Sequence, residues 1–150
     1  MLTAAQNLAL QERYHYPRPR LGLGLALRTH ATACADVSDG LAADAGHIAA
    51  ASAVGLEIDL EKVPLSEAVL TWLVLQDDPV AARLALVTGG DDYELVCTVP
   101  PDQREAFMLD AAALGIGATP IGKVVLERGA RLSWRGDIQN IRTFGYQHRE

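Results

Sequence analysis

From residue 31 onward, short apolar runs that suit β-strands alternate with longer runs whose apolar residues recur at helical spacing. A chain with this alternation buries the apolar face of each helix against a sheet, so the pattern predicts an α/β (α+β) fold with a mixed β-sheet and packed helices. The predicted strands are 31–37, 56–60, 92–99, 119–125 and 131–134, and the predicted helices are 41–52, 64–75, 80–84 and 103–114.

The first thirty residues do not follow this alternation. Residues 2–13 have the spacing of a helix, and Pro17 and Pro19 then force an extended segment, because each proline restricts the residue before it. Residues 21–28 are apolar and suit a short packed helix. We interpret residues 1–30 as a helical start and proline-containing linker from a missing amino-terminal domain, and residues 31–150 as a carboxy-terminal α/β domain.

Composition limits the partners and the compartment. The chain has 150 residues and a hydrophobic fraction of 49%, which suits one folded domain with a core. Its net charge of -6 argues against nucleic acid and anionic membranes, since both require a basic surface. No apolar run approaches the ~20 residues that cross a bilayer, and a signal-peptide pattern is absent. We therefore expect a cytoplasmic protein, with Cys34 and Cys97 as buried free thiols.

The segment Asp36-Val37-Ser38-Asp39-Gly40 places acids where a predicted buried strand ends and a helix begins. Strand alternation puts Asp36 and Ser38 on the same side, and Asp39 lies at the helix start, where unpaired amides favour an anion. Carboxylates in such a place can hold Mg²⁺ against a phosphate. Alternatively, Ser38 or Asp39 only caps the helix, which leaves Asp36 unexplained because burying an unpartnered acid is costly.

A second acidic turn is Gly89-Gly90-Asp91-Asp92, directly before a predicted strand. The two glycines allow a tight turn or a close approach to a ligand. A glycine turn with solvated acids explains the segment equally well, so both interpretations stay open. We expect the segments 36–40 and 89–92 to lie close together, and we interpret Asp44 and His47 as a side-chain pair on one helix.

Together these segments resemble thiamine-monophosphate kinase, within the wider superfamily of aminoimidazole-ribonucleotide synthetase and selenophosphate synthetase. The segments that carry the resemblance occur in the family's order across nearly the whole chain: Arg13-Tyr14 with Pro17, Pro19 and Arg20; 36–41 with Asp44, His47 and Ile48; 89–95; Ile121-Gly122; and 145–148. The acidic motif at 36–40 is shared across the superfamily, whereas the motif at 89–95 is more specific to the thiamine kinase.

The resemblance implies an enzyme that transfers the terminal phosphate of ATP to thiamine monophosphate, with Mg²⁺. It implies that Asp36 and Asp39 bind Mg²⁺, that Ser38 contacts ATP, and that Asp91 and Tyr146 contact the substrate. The family usually has Glu at the position of Asp91, which implies a shorter or water-mediated contact here. No side chain is expected to act as a base, since the attacking phosphate oxygen is already deprotonated and the reaction needs mainly charge neutralisation and positioning.

The resemblance covers only the family's carboxy-terminal half. We therefore expect the chain to be inactive without the amino-terminal domain, which carries most of the ATP site, and the full-length enzyme to form a homodimer. One alternative is a non-catalytic binding or assembly module derived from the family. Another is half of a related ATP-dependent enzyme such as a selenophosphate synthetase, which the motif at 89–95 disfavours.

Overall fold

The structure is a computed structural model and describes residues 1–140 and Gly145. The α-helices are Ala4–His15 (α1), Gly24–His30 (α2), Leu41–Ser52 (α3), Glu67–Leu73 (α4), Pro79–Thr88 (α5) and Arg104–Ala113 (α6), and a single 3₁₀ turn covers Leu21–Leu23. The strands are Ala33–Val37 (β1), Gly55–Asp59 (β2), Glu94–Thr98 (β3), Gly122–Val125 (β4), Gly129–Trp134 (β5) and Asp137–Gln139 (β6). Within the described residues, no helix combines the length and the apolar character that a membrane crossing requires.

The strands form two sheets. Strands β1 and β3 pair antiparallel in a two-stranded sheet, and the other four strands form a mixed sheet in the order β4-β2-β5-β6. In the mixed sheet β2 and β5 run parallel, and the other two pairings are antiparallel. The predicted α/β (α+β) class is therefore confirmed, although the strands divide between two sheets and the short strand β6 was not predicted.

Helix α3 connects the two sheets and carries much of the first core. Its residues Ala42, Ala45 and Ala49 are fully buried, at the three- and four-residue spacing of one helix face. They pack with Val37 from β1 and Leu132 from β5. Because alanine side chains are small, the helix backbone can approach both sheets closely, which fixes the place where α3 begins relative to β1.

A second core joins the first thirty residues to the rest of the chain. Leu23 and Ala26 are buried against Phe107 and Ala111 of α6. The segment that includes α2 therefore packs on the same unit as α6. The division of the chain at residue 30 stays a prediction.

The expected burial of both cysteines is wrong for Cys34. Cys34 and Cys97 are free and lie opposite each other in the β1–β3 pairing, but Cys34 is exposed and Cys97 is only partly buried. The alternate residues Ala33 and Ala35 face the first core, so Cys34 lies on the other face of this sheet. Burial raises the pKa of the Cys97 thiol to about 11, which makes it a poor nucleophile near neutral pH.

His30 connects α2 to α6. Its Nδ1 lies 2.9 Å from Oε1 of Gln103, its Nε2 lies 3.0 Å from Oδ2 of Asp110, and its ring meets the edge of Phe107. Only the imidazolium form can donate a hydrogen bond from both ring nitrogens. The bond to Gln103, followed by the bond to Asp110, accordingly raises the pKa of His30.

We expect this contact to weaken as the pH rises. Because the pKa is raised in the folded state, the stabilisation by His30 is complete below the unfolded-state value of about 6.5 and is lost as the pH passes the folded-state value. Thermal melts at about pH 5 and about pH 8 should show a smaller difference in Tm for His30→Gln than for the unchanged protein. His15→Gln, at an exposed position in α1, is the control. An equal pH dependence in His30→Gln and the unchanged protein would contradict this role.

Candidate functional site

The two acidic turns meet through their backbones. The amide of Asp91 donates to the carbonyl oxygen of Ser38 at 2.9 Å, and the amide of Tyr93 donates to that of Val37 at 3.0 Å. The turns adjoin because β1 ends where β3 begins, with Val37 opposite Glu94. The predicted proximity of the segments 36–40 and 89–92 is confirmed.

Glycines make this close approach possible. A Cβ atom at Gly90 would lie 2.3 Å from the carbonyl oxygen of Ser38, and one at Gly40 would lie 2.8 Å from that of Gly89. Gly40 also has a φ of +116°, a conformation that residues with side chains rarely adopt. The glycines therefore allow the two turns to pack, which agrees both with a ligand site and with a glycine turn whose acids are solvated.

The capping alternative for Ser38 and Asp39 is wrong. The N-cap of α3 is Gly40, which has no side chain that could cap the helix. Instead, Oδ2 of Asp44 accepts hydrogen bonds from the amides of Ser38 at 3.0 Å and Asp39 at 3.1 Å. Asp44 is only 5% exposed, so this carboxylate lies beneath the turn. The sequence interpretation, a pair with His47, missed this role.

The predicted metal ligands differ in burial. Asp36 is exposed and Asp39 is partly buried, while Ser38 and Asp91 are exposed. The expectation that Asp36 is buried is thus wrong, because strand β1 has an open face at this position. The candidate role of Asp36 rests instead on its location at the edge of a groove.

This groove has a volume of about 560 Å³ and is mostly apolar. Asp36 and Arg20 supply its charged groups, and its other lining residues are Pro17, Pro19, Leu21, Gly24, Leu27, Tyr93 and Leu95. The proline segment therefore forms one wall beside Asp36, and Tyr93 and Leu95, which follow the second acidic turn, form another. An organic group that carries a charge would suit this lining.

Glu94 holds the first twenty residues against the site. Its carboxylate accepts hydrogen bonds from Nε of Arg20 at 2.8 Å and from Nη2 of Arg20 at 2.6 Å, and it also pairs with Arg13. The hydrogen bond to Glu94 raises the pKa of Arg20. The sequence pattern gave no signal of this cluster, because Glu94 lies 74 residues away from Arg20.

Asp92 has the most perturbed carboxyl group that the described part of the turn shows. Partial burial raises its pKa to about 6, the charge of Glu94 adds to this effect, and the charge of Arg13 opposes it. Asp92 is therefore ionised near neutral pH and takes up a proton below about pH 6.

The chain returns to the site at Gly145. A Cβ atom there would lie 2.5 Å from the carbonyl oxygen of Asp39 and 2.5 Å from Cβ of Ala43. Gly145 thus packs on the first turn of α3, next to the acidic motif. Tyr146 lies outside the described residues, and its predicted contact with the substrate stays a prediction.

Residues 11–135 match the family described as AIR synthase related protein, C-terminal domain. The chain belongs to this family. A relative in it, the thiamine-monophosphate kinase of Caulobacter vibrioides, is 44% identical over 93% of this chain and 40% of its own length. The chain spans about two fifths of the length of the curated relatives that it matches most extensively.

Solved structures of AIR synthase related proteins show the same architecture. The thiamine-monophosphate kinase of Stenotrophomonas maltophilia K279a has a TM-score of 0.78 and 40% identity, covering 93% of this chain and 42% of that one. AaThiL complexed with AMPPCP and TMP has a TM-score of 0.74 and 29% identity, covering 97% of this chain and 43% of that one. The resemblance to the thiamine kinases within the AIR synthase related family is thereby confirmed.

We expect Gly90→Ala to separate the two acidic turns, since its Cβ would collide with the backbone of Ser38. Overpacking of this kind costs about 1–3 kcal/mol of stability. Urea denaturation should show this loss, and amide hydrogen exchange at Asp91 should accelerate. The matched control is Gly117→Ala, where a Cβ meets nothing within 4 Å. Unchanged protection of the Asp91 amide in Gly90→Ala would contradict the backbone contact.

Proposed function

We propose that this chain is the carboxy-terminal part of an ATP-dependent kinase that converts thiamine monophosphate to thiamine diphosphate. The observation that carries the proposal is the backbone pairing of the two acidic turns, which brings the Ser38 and Asp91 segments into one surface. The similarity to thiamine-monophosphate kinases over 93% of the chain supports it. The AaThiL complex supports an ATP-type nucleotide and thiamine monophosphate as the two ligands.

Asp36 and Asp39 are the proposed magnesium ligands. Carboxylate oxygens are the hard ligands that Mg²⁺ prefers, and the exposure of Asp36 leaves its carboxylate accessible to an ion that keeps several waters. The donor chemistry therefore fits the ion. When bound, Mg²⁺ supplies neutralisation of the charge on the phosphates. Ser38 is the proposed ATP contact, and its exposed side chain is accessible from solvent.

Asp91 and Tyr146 are the proposed substrate contacts. Asp91 is exposed and has a positive φ of 69°, so its side chain extends into solvent from a left-handed backbone conformation. Asp is one methylene shorter than the Glu of the family, and we infer a water-mediated contact. The ring of Tyr146 would contact the thiamine rings through aromatic stacking and cation–π attraction.

The remaining parts of the proposal concern the whole enzyme. We place residues 1–30 as the linker from an amino-terminal domain that completes the ATP site, and we infer a homodimer in the cytoplasm. The Arg13–Glu94 and Arg20–Glu94 pairs support this placement, because they hold the linker beside the site. A non-catalytic module with the same ligand surface is the second candidate.

We expect the purified 150-residue protein to form no thiamine diphosphate above background with ATP, Mg²⁺ and thiamine monophosphate. Its proposed metal ligands are too few to hold several Mg²⁺ ions together with the triphosphate of ATP. Joining it to the amino-terminal part of the Caulobacter vibrioides relative should produce activity. Turnover by the chain alone would contradict the incomplete site, and an inactive but folded chimera would favour the non-catalytic module.

In the active chimera, Asp36→Asn should lower kcat by at least ~100-fold, because a metal ligand stabilises the transition state more than the ground state. Asn is nearly isosteric and the position is exposed, so Tm should barely change. The control is Asp102→Asn, an exposed acid in the turn before α6, which should keep the parent's kcat. Near-normal kcat in Asp36→Asn would show that Asp36 has no role in metal binding.

A further inference from the structure

Asp44 is a buried acid to which the proposed function assigns no role. It lies in the first turn of α3, is 5% exposed, and accepts from the amides of both Ser38 and Asp39 through one oxygen. Burying a carboxylate is unfavourable unless hydrogen bonds compensate. These two amides supply that compensation, and the acid and the turn therefore depend on each other.

The residue that joins the turn to α3 adds no side-chain bond of its own. Gly40, the N-cap of α3, has no side chain with which to bond the turn, and glycine is the most flexible residue. The amides of Ser38 and Asp39 lie between β1 and α3, outside both elements. Without Asp44 these amides would need water or another acceptor.

Both backbone polar groups of Ser38, the amide and the carbonyl, make hydrogen bonds. Its amide donates to Asp44, and its carbonyl oxygen accepts from the amide of Asp91. One bond comes from the helix that follows the turn, and the other comes from the second acidic turn. Together they fix the backbone from which the Ser38 and Asp39 side chains extend.

We infer that Asp44 is a positioning residue, whose carboxylate holds the 38–39 turn in the geometry that the site requires. The effect on the turn follows from the contacts of this chain, whereas the effect on phosphoryl transfer rests on the proposed function. The carboxylates of Asp39 and Asp44 and a ring nitrogen of His47 also lie within 4.8 Å of one another. The two amide bonds at Oδ2 favour positioning over metal ligation for Asp44.

Two substitutions separate these roles. Asp44→Asn keeps an oxygen that can accept both amide bonds but removes the charge, and Asp44→Ala removes both. The matched control is Asp78→Ala, because Oδ1 of Asp78 also accepts from two backbone amides, those of Val80 and Ala81, at 3.0 Å each. Asp78 lies before the first residue of α5, at the opposite end of that helix from the glycine turn.

Hydrogen exchange and NMR on the 150-residue protein test the turn directly. In Asp44→Ala, exchange at the amides of Ser38 and Asp39 should accelerate by at least about tenfold, and in Asp44→Asn by less than about threefold. Asp78→Ala should accelerate exchange only at the start of α5. If Asp44→Ala does not fold, Asp44→Asn decides: loss of the charge-assisted bond should shift the Ser38 and Asp39 amide protons upfield. Unchanged signals at both amides would overturn the inference.

The chimera tests the consequence for catalysis. Asp44→Ala should lower kcat by at least about tenfold, Asp44→Asn should stay within about threefold, and Asp78→Ala should lower Tm with kcat intact. A lower Tm with unchanged kcat in Asp44→Ala would show a purely structural role. An equal loss of activity in Asp44→Asn and Asp44→Ala would indicate that Asp44 is a metal ligand. Either of these two results would overturn the positioning role of Asp44. An inactive parent chimera would refute the proposed function, while the exchange data would still decide the role of Asp44 in the turn.

Discussion

The pairing of β1 with β3 determines where the candidate site lies. The two strands come from distant parts of the chain, and their antiparallel register sets Val37 opposite Glu94. The first acidic turn, which follows β1, and the second acidic turn, which precedes β3, are consequently neighbours. The hydrogen bond from Asp91 to Ser38 continues this pairing beyond the ends of the strands. Displacing either strand would separate the proposed metal-binding turn from the proposed substrate-binding turn.

Charged groups add a second level of organisation around this pairing. Asp44 holds the first turn from below, and Glu94 holds Arg13 and Arg20 from the linker side. Both acids have backbone or side-chain donors as partners, which compensates the cost of removing them from water. Asp92 differs from these two acids, because partial burial and the charge of Glu94 raise its pKa to about 6 despite the opposing charge of Arg13. The site therefore contains acids with distinct tasks, and only some are available to bind a ligand.

Prediction from the sequence was most successful where the local pattern agreed with the packing. Helix α3 has the predicted bounds of 41–52, because its alanines and Ile48 recur at helical spacing and bury one face. Helix α5 is longer than predicted, since 85–88 continue the helix and bury Val87. Strand β6 has three residues and too little alternation to be recognised, and its pairing with β5 supplies its definition.

The sequence by itself determined the order of the helices and strands apart from β6, the two acidic turns and the resemblance to the thiamine kinases, since each depends on residues close together along the chain. Tertiary structure alone decided that Asp44 accepts from the amides of Ser38 and Asp39, and that Glu94 holds two arginines. It also decided that Cys34 is exposed opposite Cys97. The physical reason is that hydrogen-bond partners and burial depend on which distant segments meet. Local periodicity predicts which face of an element is apolar, but it does not identify what covers that face.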